Sequence, residues 1–194
     1  TRDDVQNQLA RVYADEVGQL DTAVDLYEDV LERDRFNEGA ISSLESMMRY
    51  EGAPAERISA LLEPRFEERA DWARLINALK VQVEVSPDPA QRVALRHRIV
   101  RLYIERLVEP QEAFDTMCEA LGDDVHNDTT LRMLEQLAEA VDGFAQLVAT
   151  YEDVAATHED PEVKRDLRRR ASSIYLERLD DIQSTSARLR EVIE

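Results

Sequence analysis

Apolar and polar positions along this chain recur with the period of a helix rather than of a strand. In 88–107, Leu95, Ile99, Leu102, Tyr103 and Arg106 fall at i, i+4, i+7, i+8 and i+11, one stripe of a single helix face. The same spacing predicts helices at about 3–17, 20–33, 38–50, 54–69, 71–85, 89–107, 110–121, 128–140, 143–157, 161–179 and 181–193, about eleven in all. Their ends carry local signals. In "SPDP" (86–89), Asp88 can cap and Pro89 can take the first helical position, and "EDP" (159–161) repeats the device. Pro110 opens the helix that carries Ala113, Phe114, Met117 and Leu121, while Asn37 and Asn127 stand at N-cap positions. The 54–69 helix is expected to be interrupted near Pro64, where the backbone loses a donor and the ring crowds the preceding turn. No segment needs a strand, so the fold class is all-α.

The chain also repeats itself. A shift of 72 residues lays 71–122 on 143–194 without a gap, and nine of 22 positions in 86–107 and 158–179 are identical, among them Asp88/Asp160, Pro89/Pro161, Tyr103/Tyr175 and Leu107/Leu179. A shift of 90 lays 2–50 on 92–140, bringing Tyr13 onto Tyr103, Ala23 onto Ala113 and Asn37 onto Asn127. The surplus of 18 residues sits in 52–69, read as an extra helical element of the first copy alone.

Residues 6–37, "QNQLARVYADEVGQLDTAVDLYEDVLERDRFN", resemble a tetratricopeptide repeat. Leu9, Ala10, Tyr13, Gly18, Ala23, Tyr27 and Val30–Leu31 occupy the motif's places, with one extra residue between Tyr13 and Gly18. Small side chains at Ala10 and Ala23 let paired helices approach closely, and Tyr13 and Tyr27 fill the space between neighbours. There are departures: Arg35 stands where the motif has Pro, Val108 replaces the turn Gly, and Thr185 and Ser186 replace Ala23 and Val24. The 72-residue period is two pairs of about 36, near the family's 34. The resemblance implies a right-handed superhelical solenoid of antiparallel helix pairs, a single array over 1–194 with copies at about 2–50, 71–140 and 143–194. The chain opens within a repeat unit and closes at the end of a repeat helix, which reads as a piece of a longer array. On packing grounds Tyr13, Trp72, Tyr103 and Tyr175 are expected to be buried.

Composition narrows the chemistry. Only five Gly and six Pro occur, too few for the turns of an all-β fold. The net charge of −18 repels phosphate backbones, so no nucleic-acid partner is expected. No apolar run approaches the roughly 20 residues of a membrane-spanning helix. Cys118 is the single cysteine, which fits either a reducing or an oxidising compartment; without an initial Met, both the cytoplasm and, after removal of a signal segment, the bacterial periplasm stay open. His97, His126 and His158 are far apart, with no ligand spacing among them, so no metal is expected. Neither a nucleophile motif nor a phosphate-binding or dinucleotide loop is present, so no catalytic residue and no cofactor are assigned. Arginines cluster at 92–101 and 164–170, whereas 1–34 holds ten acidic and three basic residues. They read either as ion pairs with acidic neighbours or as a basic stripe for an acidic segment.

The resemblance implies a non-enzymatic protein–protein interaction scaffold that binds a protein or peptide on its concave face. A regulatory peptide or small-ligand sensor and an RNA-processing scaffold are the alternatives; net acidity argues against the last. Counting the register from Leu9 and Tyr13, the outward positions of the first helix of each pair are Asn7, Arg11 and Ala14. Shifts of 90 and then 72 turn these into His97, Arg101 and Ile104, and into Arg169, Ser173 and Leu176. Arginine mixed with apolar residues suits a short acidic–hydrophobic segment.

Overall fold

The computed structural model describes residues 2–178, and the predicted helix at 181–193 lies outside them. The described residues form ten α-helices and no strand: α1 (Arg2–Val12), α2 (Leu20–Arg33), α3 (Glu38–Met47), α4 (Ala55–Glu68), α5 (Trp72–Val85), α6 (Pro89–Leu102), α7 (Pro110–Asp123), α8 (Asp128–Val141), α9 (Phe144–Thr157) and α10 (Pro161–Glu177). The chain is an all-α helical repeat. It forms two compact units, the first ending at Pro87 and the second starting at Asp88.

The caps predicted from sequence are made. The Asn37 side chain accepts from the Ala40 N–H at 3.0 Å, and Asn127 accepts from Thr129 and Thr130 at 3.1 Å each. Asp88 and Asp160 accept from Ala90 (3.0 Å) and Glu162 (2.8 Å), with Pro89 and Pro161 in the first helical turn. Each bond satisfies a donor that the first turn leaves without an intrahelical partner.

In the first unit α1 packs on α2, α2 on α3, and α4 on α5; in the second, α6 packs on α7, α7 on α8, and α9 on α10. Ala10 and Ala23 are fully buried, and so are their shifted counterparts Val100 and Ala113. Tyr27, Ile41, Leu44, Ile58, Leu62, Phe66 and Leu75 fill the first core. Phe114, Met117, Leu121, Leu134, Leu147, Tyr151 and Leu167 fill the second.

The extra residue between Tyr13 and Gly18 has a definite place. α1 and α6 end in π-helical segments, Tyr13–Val17 and Tyr103–Leu107. In each, the tyrosine carbonyl accepts the N–H five residues on, from Gly18 or Val108. It also accepts the next N–H, from Gln19 at 2.9 Å or Glu109 at 3.0 Å. A π turn holds one more residue than an α turn, so the insertion is absorbed without rotating the buried face of the helix.

Three expectations need correction. α4 runs unbroken through Pro64, whose ring lies on the exposed side. The neighbouring Arg65 guanidinium donates to Leu61 O within α4 and, at 3.0 Å, to Arg35 O in the connection after α2. Of the four aromatics expected in the core only Tyr103 is buried, at 6% exposure; Tyr13, Trp72 and Tyr175 are half-buried. Leu9, used to set the register, is 45% exposed, and Ala10 beside it takes the buried position.

Gly18 sits at φ +70°, a backbone region open to glycine at no steric cost. Val108, its counterpart, sits at φ +57°, where a β-branched side chain is strained, and it is 78% exposed. Left-handed backbone costs an L-residue roughly 1–2 kcal/mol, partly offset by the extra freedom glycine has when unfolded. Val108→Gly should therefore raise the thermal midpoint by roughly 1–4 °C, and Gly18→Val should lower it. A lower midpoint for Val108→Gly in thermal denaturation would refute the strain.

Candidate functional site

Among the described residues no group of His, Cys, Asp and Glu is arranged to hold a metal, and no helix is long and apolar enough to cross a membrane. Burial is the larger influence on the Cys118 thiol and raises its pKa, against a hydrogen bond from Thr150, which works against thiolate chemistry. The features that remain are grooves between helices.

The larger groove, about 720 Å³, lies in the second unit. α8 contributes Arg132, Glu135, Gln136 and Glu139, α9 contributes Phe144, and α10 contributes Arg169, Arg170, Ser173, Ile174 and Glu177, with Arg178 just beyond. Two of its arginines are clamped. Arg170 bonds Asp166 at 2.9 Å and Glu135 at 3.2 Å, joining α10 to α8. Arg178 lies 3.6 Å from Glu139 and stacks 5.2 Å over the Phe144 ring. Partial burial works to raise the Asp166 carboxyl, but Arg170 and Arg169 outweigh it and hold the group below the usual carboxylate range. The other two arginines reach solvent. Among the described residues Arg169 pairs along its own helix, with Asp166 at 3.0 Å, and its side chain is 74% exposed. Arg132 is exposed and bonds the Asp128 carbonyl at 3.2 Å. Two exposed guanidinium groups beside Phe144 and Ile174 can receive a carboxylate and an apolar side chain together.

A smaller groove of about 270 Å³ lies in the first unit, lined by Arg11, Ala14, Asp15, Tyr27, Ser42, Ser43, Ser46, Met47 and Tyr50. Asp15, within the first π segment, receives Arg11 at 3.2 Å and the Tyr50 hydroxyl at 2.9 Å. Its serine and tyrosine hydroxyls can hydrogen-bond but offer no activated nucleophile.

The predicted partner-facing residues separate into three sets. Arg169 and Ser173 line the larger groove, and Arg11 lines the smaller one. Asn7 and His97, which are counterparts, are half-buried and tie helices together: Asn7 donates to Asn37 at 3.0 Å, and His97 Nε2 lies 2.8 Å from the buried Thr130 hydroxyl. Arg101, Ile104 and Leu176 are exposed and line neither groove. Sequence reasoning missed Arg132, Glu135, Gln136 and Glu139, because it counted only the first helix of each copy. The signal was available. Shifting Ser42 and Ser46 of α3 by 90 gives Arg132 and Gln136 of α8, and both pairs line grooves. Arg92 and Arg96 pair with Asp123 of α7, as the ion-pair reading expects, and Arg169 lines the groove.

No protein-family profile and no curated protein matches the chain. Among solved structures, it is similar to a chain from Podosopora anserina described as a kinesin light chain with nearly identical TPR-like repeats. The identity is 17% and the TM-score 0.36, over 98% of this chain and 92% of that one. A likeness of that size says nothing of partner or chemistry.

His97 gives a test of its environment. Burial, and secondly the charge of Arg101, hold its pKa below the ordinary imidazole value. The unfolded chain therefore binds the proton first on acidification. The associated stability is complete above the unfolded value of about 6.5 and is lost as pH falls through the lower folded value. His97→Gln should thus show a smaller fall in thermal midpoint between roughly pH 7.5 and 5.5 than the parent chain. Equal falls for the two proteins would show that His97 titrates alike folded and unfolded.

Proposed function

We propose that this chain is a non-enzymatic protein-interaction scaffold whose α8–α10 groove binds a peptide segment combining carboxylates with apolar side chains. One observation carries the reading: four arginines converge on a single groove in a chain of net charge −18. Two of them are held by internal carboxylates and order the groove walls. Arg132 and Arg169 are the ones presented to a ligand, and the half-buried Phe144 supplies apolar surface beside them, with the largely buried Ile174 at the groove wall. A volume of about 720 Å³ falls within the range of specific ligand sites. Arg101, Ile104 and Leu176 extend the reading as outer contacts, and Arg11 with its groove is the corresponding feature of the first unit. The overall negative field disfavours nucleic acid and makes the local arginines the discriminating element.

The test is selection from a random peptide display library, followed by solution affinities. Selected sequences should be enriched in Asp or Glu next to Leu, Phe or Ile. The double reversal Arg132→Glu with Arg169→Glu should weaken them by about tenfold or more, some 1.4 kcal/mol, while the thermal midpoint stays within about 2 °C. Both side chains are exposed, so little folding energy rests on them. Selected peptides that bind parent and double variant alike would place the working surface elsewhere.

A further inference from the structure

Tyr151 of α9 is fully buried, and no group among the described residues bonds its hydroxyl. A buried hydroxyl without a partner loses the hydration it has in the unfolded chain and regains nothing for it. Phenylalanine would fill the same space without that cost. Tyr27, buried to a similar degree in the first unit, has the Ser43 side chain as a hydrogen-bond partner.

The surroundings of Tyr151 supply a partner that is occupied elsewhere. α9 packs against both α8 and α10. Burial is the largest influence on the hydroxyl and raises its pKa, and the first charge to act on it is that of Glu135, followed by Arg170 and, more weakly, Asp166. These three form the clamp in the groove wall, where Arg170 holds Asp166 at 2.9 Å and Glu135 at 3.2 Å. Of the two carboxylates, Glu135 is the freer to leave. Asp166 lies one turn from Arg170 on the same helix and also bonds Arg169 at 3.0 Å. Glu135 reaches across from α8, and its side chain is 49% exposed. A ligand carboxylate seated on Arg169 and Arg170 meets Glu135 as a like charge lining the same groove. Glu135 then needs another donor beside it, and the Tyr151 hydroxyl has no competing bond.

We infer that Tyr151 is a positioning residue of the α8–α10 groove: when a ligand carboxylate takes Arg170, Glu135 moves off Arg170 and accepts a hydrogen bond from the Tyr151 hydroxyl. This rests on the reading of that groove as the peptide site. No proton changes hands in the exchange. The unpaired hydroxyl belongs to the free protein and the paired one to the complex, so the new bond strengthens binding and leaves the stability of the free fold untouched.

The test compares Tyr151→Phe in two backgrounds, the parent and Arg170→Met, which frees Glu135 without any ligand and keeps the apolar stem of the side chain. Arg170 is a third exposed, so its loss should leave the helical circular dichroism unchanged. In the parent, Tyr151→Phe should leave the thermal midpoint unchanged or raise it by up to about 3 °C. In Arg170→Met it should lower the midpoint by about 3–6 °C. The affinity of the tightest peptide from the display selection should fall about tenfold on Tyr151→Phe in the parent, and should not respond to Tyr151→Phe in Glu135→Ala. An equal shift of the midpoint in the two backgrounds, or a peptide that binds Tyr151→Phe as tightly as the parent, overturns the exchange and leaves the groove reading standing. A selection that returns no binding peptide overturns both.

Discussion

Both units depend on the close approach of paired helices across small, fully buried side chains. Ala10 of α1 and Ala23 of α2 are both fully buried in a pair of packed helices, and Val100 and Ala113 take the same places in α6 and α7 with two more methyl groups at Val100. Close approach fixes the direction in which the next helix leaves. The π turn after Tyr13 and after Tyr103 protects that contact, because it takes up a residue without turning the buried face away. The cost falls on the residue that reverses the chain. Glycine carries it easily at position 18, and valine carries it with strain at 108.

Electrostatics is arranged around this framework rather than creating it. Arg74 of α5 holds Glu45 at 2.9 and 2.5 Å and Glu38 at 3.0 Å, and its guanidinium lies 5.1 Å over Phe66. Arg57 bridges Asp25 and Glu28 at 2.5 and 2.7 Å. Pairs this close to solvent contribute little each to stability. Their consequence is selective: most arginines lie against internal carboxylates, and only some of them, the exposed Arg132 and Arg169 among them, line a groove.

Much of this was legible along the chain. Helix ends at Asn37, Asp88, Asn127 and Asp160 were readable because a cap is a contact between residues two or three apart. The buried positions Ile99, Leu167 and Ala171 were readable from their period, although Leu95 of the same stripe is only half-buried. The groove was legible only in part. Arg169 and Ser173 were found from the register of one helix, but Arg132, Glu135 and Glu139 come from another helix, and a register counted on a single helix cannot reach them.

The sequence by itself determined the all-helical class, the helix boundaries and the repeat, since each rests on interactions within about one or two turns or on identity at a fixed shift. Tertiary structure alone decided which of several equivalent positions is buried. Leu9 and Ala171 share a register, yet one is 45% exposed and the other is fully buried. Asn7, His97 and Arg169 likewise share one, yet the first two bond a neighbouring helix and the third lines a groove. The physical reason is the same in each case: periodicity states which face a side chain is on, and only the neighbouring helix states whether that face is covered.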